Sequence, residues 1–417
     1  MSNICSARAM KVDVQIARLG AQGDGIAEIA GEAVYIPFTL PGERVAAEID
    51  GSRSTLLDVL EASPDRIAPV CRHFGACGGC ALQHWDASPY REWKRGRIAE
   101  ALAQHRIAAE VEAVLAFPPH SRRRATFTAV KSGRELLFGF RRALSHEVID
   151  IGECPILMPR LEAALPALRA LVAALLSSGE ARIVVTVCEG GLDVLIEPDG
   201  KQRASLAPNL AAMAQQAGIL RIAWGTDTLL SAGPIRVILS GVAVDLPPAA
   251  FLQAVPEAEQ AIATLIREGV GKARKVADLF SGLGTFTFAL ASKSAVTAAE
   301  SDPALLAALT AAARHATGIK PITALRRDLM REPLSWQELN AFDAVVFDPP
   351  RAGAIAQTQA LARSKVARVV AVSCNPATFA RDARALIDGG YRLTRLVPVD
   401  QFVFSPHVEL VGWFARK

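Results

Sequence analysis

The sequence predicts an α/β protein whose C-terminal part is a doubly wound, Rossmann-like domain. Three observations carry this. From about Phe251 onward, short β-type runs alternate with helical ones, the pattern of a parallel sheet covered on both faces. Residues 11–60 break into closely spaced strands punctuated by Gly and Pro, as in a small β-barrel. And 417 residues exceed what one ordinary core organises, so further domains are required. The expected boundaries are a β-barrel over 1–62, a central α+β domain over 63–250 and the Rossmann-like domain over 251–417.

Composition sets the class. With 51% hydrophobic and 21% charged residues the chain reads as globular. Its start carries no signal-peptide apolar core, and no apolar run approaches a membrane span. A soluble, cytoplasmic protein with no membrane partner is therefore expected; a monomer is expected as well. Seven cysteines, an odd number, fit metal binding or catalysis in a reducing compartment better than a disulfide framework. Net charge is only +4, yet Arg91 to Arg142 holds 12 Lys/Arg against 5 Asp/Glu, including Arg122-Arg123-Arg124 and Arg141-Arg142. Such a run is either a solvated face or a surface for phosphate backbones.

In chain order, strands are predicted at Val12–Leu19, Ile26–Ile29, Ala33–Phe38 and Arg44–Ile49, with a turn at Pro41-Gly42. The middle mixes helices (Arg91–His105, Arg160–Ser177) with strands at Arg124–Val130, Phe138–Arg141, Ala181–Val187 and Leu192–Ile196. The C-terminal strands are Lys275–Phe280, Ala295–Glu300, Ile322–Arg326, Ala344–Asp348 and Val366–Ser373.

Cys71, Cys77 and Cys80 form C-x5-C-x2-C, and Cys154-Pro155 adds a fourth thiolate at long range. Four thiolates suit zinc or an iron–sulfur cluster. Zinc sites usually pair two short knuckles, whereas a trio joined to one remote cysteine before proline favours a 4Fe–4S cluster, here as a structural clamp.

Asp278-Leu279-Phe280-Ser281-Gly282-Leu283-Gly284-Thr285 reads as a strand ending in a glycine turn that lets a ligand approach the backbone. About 20 residues on, Glu300 ends the next strand, placed for a ribose diol, and Asp328 follows the third, placed for an adenine amine. The turn lacks the full G-x-G-x-x-G pyrophosphate fingerprint. S-adenosylmethionine, which has no phosphates, fits better than NAD. Asp348-Pro349-Pro350-Arg351-Ala352-Gly353 closes the fourth strand and should turn Asp348 into the crevice. Ser373-Cys374-Asn375-Pro376 closes the fifth. Asn375 is a good N-cap and Pro376 a good first helical residue, so a helix is expected to about Leu386. Cys374 would then sit at the positive end of a helix dipole, which favours thiolate.

Together these motifs resemble the RNA (uracil-5-)-methyltransferase family, in the bacterial ribosomal-RNA form that carries a TRAM barrel and an iron–sulfur cluster. The resemblance rests on Leu19 to Ala27, Ile36 to Glu43, the four cysteines, Arg122-Arg123-Arg124, Phe251-Leu252-Gln253, the glycine turn, Asp348 to Gly353, Ser373 to Pro376 and His407-Val408-Glu409. It implies Cys374 as nucleophile and Glu409 as general base. It also implies S-adenosylmethionine contacts from Gln253, Phe280, Gly282, Thr285, Glu300, Asp328 and Asp348. Cys71, Cys77, Cys80 and Cys154 would hold the cluster, and the substrate would be a uridine of 23S rRNA. Three departures from the pattern stand out: Val255 replaces the usual Asn, Ser281 the usual Cys, and Val403 the usual Pro. Rival readings are the same chemistry on tRNA, a cytosine-5 methyltransferase, and a non-catalytic, cluster-containing RNA-binding protein.

Overall fold

A computed structural model describes residues 10–50, 53–200 and 208–416; parts of the predicted first two domains at 1–9, 51–52 and 201–207, and Lys417, lie outside the described residues. The chain divides into two compact units. One takes the chain through Lys94 with Phe140–Ile149 and Phe404–Pro406; the other takes Arg95–Gly139, Asp150–Val403 and His407–Lys417.

In the first unit, Met10–Gln15, Arg44–Asp50 and Arg53–Glu61 form one antiparallel sheet, and Arg18–Leu19, Gly25–Ile29 and Glu32–Ile36 another. Alternation along Arg44–Asp50 sends Val45 and Ala47 inward, onto Ile16, Ala27 and Ile36. The single strand expected over Val12–Leu19 is interrupted. The Ile16 amide donates to the Glu43 carbonyl and the Gly42 amide to the Ile16 carbonyl, both at 2.8 Å, and the chain restarts in the second sheet.

In the second unit, Arg124–Ser132, Gly179–Cys188, Gly191–Pro198, Ile219–Trp224 and Asp227–Ser231 lie side by side in that order. The helix expected over Arg160–Ser177 is split into Pro159–Ala163 and Leu165–Leu175. Pro166 offers no backbone N–H and its ring crowds the carbonyl one turn earlier, so the helix has to restart.

The same unit contains an eight-stranded sheet. Its order is Ile322–Arg326, Ala295–Glu300, Lys275–Leu279, Ala344–Phe347, Arg368–Ser373, Glu409–Arg416, Tyr391–Asp400 and Leu115–Ala116. The first five strands are parallel. Their side chains alternate between two cores. Ala277, Leu279, Val345, Phe347, Val369 and Ala371 pack with Leu361, Phe379 and Leu386 of the helices Ile355–Arg363 and Pro376–Asp388. Val276, Val346, Val370 and Val372 face Ile262, Ile266 and Leu290 of the helices Pro256–Val270 and Thr287–Ala291. Burial on both faces explains why these strands are nearly all apolar. The predicted α/β class is what is observed. The strand Glu409–Arg416 runs antiparallel between Arg368–Ser373 and Tyr391–Asp400, and it brings Glu409 to the crevice. Among the described residues, no helix is long and apolar enough to cross a membrane.

Candidate active site

Parallel strands of this kind present their carboxyl ends to one crevice. Here those ends lead into Phe280, Glu300, Asp328, Asp348 and Cys374 in turn. After Ser373 the chain enters the helix Pro376–Asp388. Asn375 caps it as expected, its side chain accepting from the Ala377 amide at 3.1 Å, with Pro376 in the first turn. The same helix ties down the loop after Asp348. Asn375 and Thr378 donate to the Arg351 carbonyl, both at 3.3 Å. Arg381 donates to the Ala352 carbonyl at 2.9 Å, and Asp382 accepts from the Ala354 amide at 2.7 Å. The Cys374 segment and the loop after Asp348 are thus one framework.

The last strand supplies the second group. Ser373 pairs with Leu410, so the next residue on one side and the preceding one on the other, Cys374 and Glu409, emerge together. Glu409 is 3% exposed. Its Oε2 accepts from Gln401 Nε2 at 3.0 Å, and the same Nε2 donates to Gln253 Oε1 at 2.6 Å. Gln253 Nε2 donates in turn to Asp348 Oδ2 at 3.2 Å. Two glutamines therefore connect the candidate base to the candidate cofactor-side acid.

Electrostatics bind these groups further. Burial, aided by the charge of Asp348, pushes Glu409 up to about 8. Asp348 rises to about 7 through burial and the charge of Asp278. Asp278, on the neighbouring strand, also rises to about 7 by burial, against a hydrogen bond from Thr287 Oγ1 at 2.5 Å. The thiolate expected for Cys374 is not what this environment favours. Burial, then the charges of Glu409 and Asp348, push the thiol up to about 11, and Arg351 only partly offsets them. The helix terminus is present, but desolvation and two acids outweigh it.

The glycine turn is built to a tight specification. Phe280 has φ of 62°, an unfavourable backbone for an aromatic residue. Gly284, at φ 92°, has no room for a Cβ, which would lie 2.8 Å from Phe288. The Gly282 amide donates to Glu300 Oε2 at 3.0 Å, while Glu300 Oε1 accepts from the Ser301 and Asp302 amides at 2.7 and 2.9 Å. Glu300 thus braces the turn it faces. The Ser281 hydroxyl is buried with no partner among the described residues, an opening for a ligand group. Thr285 is half-buried on the same turn. Asp328 stands apart from the amide network; its Oδ1 caps its own turn, accepting from the Met330 amide at 3.1 Å.

Sequence reading missed Asp278, Gln401 and Arg123. Arg123 is 6% exposed. It donates from its backbone amide to the Ala254 carbonyl and from Nε to the Gln253 carbonyl, both at 2.9 Å, and pairs with buried Glu259. The middle arginine of Arg122-Arg123-Arg124 therefore holds the Gln253 segment inside the protein instead of facing phosphates. A glutamine adjoining an apolar strand end, as in Val399-Asp400-Gln401, was the signal available for Gln401.

Cys71, Cys77 and Cys80 lie on one half-buried loop of the first unit, where the Gly78 amide donates to the Arg141 carbonyl at 2.9 Å. Burial first, with the charge of Cys71 adding to it, raises the Cys77 thiol. Cys154 belongs to the second unit. Among the described residues no group of three or more His, Cys, Asp or Glu gathers as metal ligands.

The family model for tRNA (Uracil-5-)-methyltransferase matches residues 249–417, and that for the TRAM domain residues 10–58. A Brucella suis protein described as an uncharacterized RNA methyltransferase is 48% identical over 401 residues, covering 96% of each chain. A Caulobacter vibrioides protein of the same description is 46% identical over 413 residues, covering 97% of this chain and all of its own. The crystal structure of Pyrococcus abyssi tRNA (uracil-54, C5)-methyltransferase, in complex with S-adenosyl-L-homocysteine, superposes with a TM-score of 0.76. It covers 97% of this chain and 99% of its own at 24% identity, a likeness of fold. With these relatives along nearly its whole length, the chain belongs to the RNA (uracil-5-)-methyltransferase family.

Proposed function

We propose that the protein methylates carbon 5 of a uridine in RNA through a transient bond between Cys374 and the uracil ring. The observation that carries this reading is the placement of Cys374 and Glu409 at adjacent strand ends, with Asp348 acting on both. Gln253, Phe280, Gly282, Thr285, Glu300, Asp328 and Asp348 would hold S-adenosylmethionine, which supplies an electrophilic methyl carbon when bound. The unpartnered Ser281 hydroxyl and the braced glycine turn suit such a ligand.

Carbon 5 of uracil is too weak a nucleophile to act alone. The thiol of the half-buried Cys374 gives its proton to solvent before the attack, and Arg351 favours the resulting thiolate. The sulfur bonds to carbon 6, and the electron pair of the C5=C6 bond moves onto carbon 5 and the O4 enolate. Carbon 5 would then take the methyl group as the methyl's bond to the donor sulfur breaks, the electron pair staying on sulfur, which leaves as a neutral thioether. Glu409 removes the remaining C5 proton; the electrons of that C–H bond restore C5=C6 and expel the sulfur. A carboxyl poised near 8 suits this role, because it is ionised in part at neutral pH and holds a proton well. The uracil must leave its stack to enter the crevice, so a loop or unpaired segment is the target.

For the substrate we take 23S rRNA, on the resemblance of the barrel and cysteine spacing. Transfer RNA is the second reading, favoured by the printed description of the matching family and of the archaeal structure. Mapping 5-methyluridine in both RNA classes from a deletion strain decides between them; loss from neither sinks the proposal. The 4Fe–4S cluster on Cys71, Cys77, Cys80 and Cys154 rests on spacing alone, and no catalytic step runs through it. Iron and sulfide in matching amounts in anaerobically purified protein support it, and zinc or neither rejects it.

A further inference from the structure

Gln401 directly follows the strand Tyr391–Asp400, is 3% exposed, and uses both ends of its amide. Its Oε1 accepts from the backbone amide of Ala254 at 2.9 Å. A backbone N–H can only donate, so this contact fixes which end of the carboxamide is oxygen. The two N–H bonds of Nε2 then have to face Gln253 Oε1 and Glu409 Oε2. Gln253, with its oxygen engaged, turns its own Nε2 to Asp348. The anchor is rigid, because Arg123 grips the carbonyls of both Gln253 and Ala254.

The consequence falls on Glu409. Its Oε2 is occupied by a donor, whereas its Oε1 takes part in no hydrogen bond among the described residues. We propose that Gln401 is the positioning residue for Glu409, fixing Oε2 through its amide so that Oε1 is the oxygen that receives the C5 proton. This rests on the catalytic reading above and adds a residue to it. The titratable groups acting around Glu409 are Cys374, from the neighbouring strand end, and Asp348, from the strand beyond it. Burial and Asp348 raise Glu409, and the Gln401 donor is the contact that works the other way. Without it, the base should need a higher pH to ionise.

The test separates methyl transfer from proton removal. Unmodified 23S rRNA and tRNA transcripts carrying 5-tritiated uracil are reacted in single turnover with methyl-labelled donor. Two variants are used. Gln401→Met keeps length but no hydrogen bond; Gln401→Glu keeps an acceptor for Ala254 and sets an acid against Glu409. In both, methyl transfer into protein-linked RNA should slow much less than proton removal, the smaller loss reflecting the contact from Gln401 to Gln253. Tritium release should slow about 10- to 100-fold, as expected for a lost hydrogen bond to a charged group. The pH midpoint of that release should rise by about one unit. Wild-type tritium release with an unmoved midpoint in either folded variant overturns the proposal. So does an equal loss of both steps, which marks a merely structural role. Glu409→Gln is the control: if it releases tritium normally, the catalytic reading falls, and not this inference alone.

Discussion

Ser373 pairs with Leu410 in antiparallel register, and this single pairing brings the Cys374 thiol and the Glu409 carboxyl out at one mouth of the crevice. The two groups lie 35 positions apart in sequence, and nothing local relates them. Their charges are nonetheless coupled, since Glu409 is the largest charged influence raising the Cys374 thiol.

Resolution of the RNA adduct should therefore depend on the ionised form of Glu409. Burial holds that carboxyl at about 8, so the rate should rise with pH up to about 8 and level off above it. Glu409→Gln should still form the adduct but resolve it about 100- to 10,000-fold more slowly, the usual contribution of a general base. Quenched-flow with denaturing gels measures both species.

Donor binding should show its own pH dependence. Asp348 is held near 7 by burial and by Asp278, so its negative charge becomes available only as pH rises through that value. Affinity for S-adenosylmethionine, a cationic sulfonium, should increase across pH 6 to 8 (about the window set by that shift). S-adenosylhomocysteine, neutral at sulfur, should change much less. Calorimetric titration of both ligands checks this, and parallel curves would contradict it.

Asp278 lowers stability at neutral pH. Its carboxyl is ordinarily near 3.8 but is raised to about 7 in the fold. Above 3.8 the unfolded chain releases this proton while the native state keeps it, so stability falls as pH climbs through the window and levels off above about 7. Asp278→Asn cannot ionise and can still accept from Thr287. It should stabilise the protein by roughly 1–3 kcal/mol at pH 8 and by little at pH 4, read from urea unfolding. It should also lower Asp348, moving the pH midpoint of donor binding downward.

Gly353 sets the spacing between the Asp348 loop and the cysteine helix. It has φ of 75°, and an added Cβ would lie 2.6 Å from both the Arg381 guanidinium and the Asp382 carboxylate. Gly353→Ala should cost about 1–3 kcal/mol and slow methyl transfer, because the hydrogen bond from Ala354 to Asp382 has to give. Thermal melting and single-turnover rates check the two parts separately.

How much of this was legible in the sequence differs by element. The parallel strands were readable because burial on both faces leaves continuous apolar runs, and Asn375-Pro376 announced its helix through local capping chemistry. The antiparallel hairpin of Tyr391–Asp400 and Glu409–Arg416 was not read, because its position is set by pairing with Arg368–Ser373 and not by any local signal. The glutamine network was hidden for the same reason: Gln253 and Gln401 are 148 residues apart and meet only across the folded core. The charge state of Cys374 was misjudged because a helix terminus is visible in sequence, whereas two acids delivered by other strands are not.

The most direct measurement uses RNA containing 5-fluorouracil, whose C5 fluorine cannot be removed as a proton. Incubated with S-adenosylmethionine, the wild-type protein should form a stable, methylated protein–RNA complex that survives denaturation. Cys374→Ser should form none while still binding donor and RNA. A covalent complex of undiminished yield from the serine variant, or normal methylation of natural RNA by it, would contradict the account.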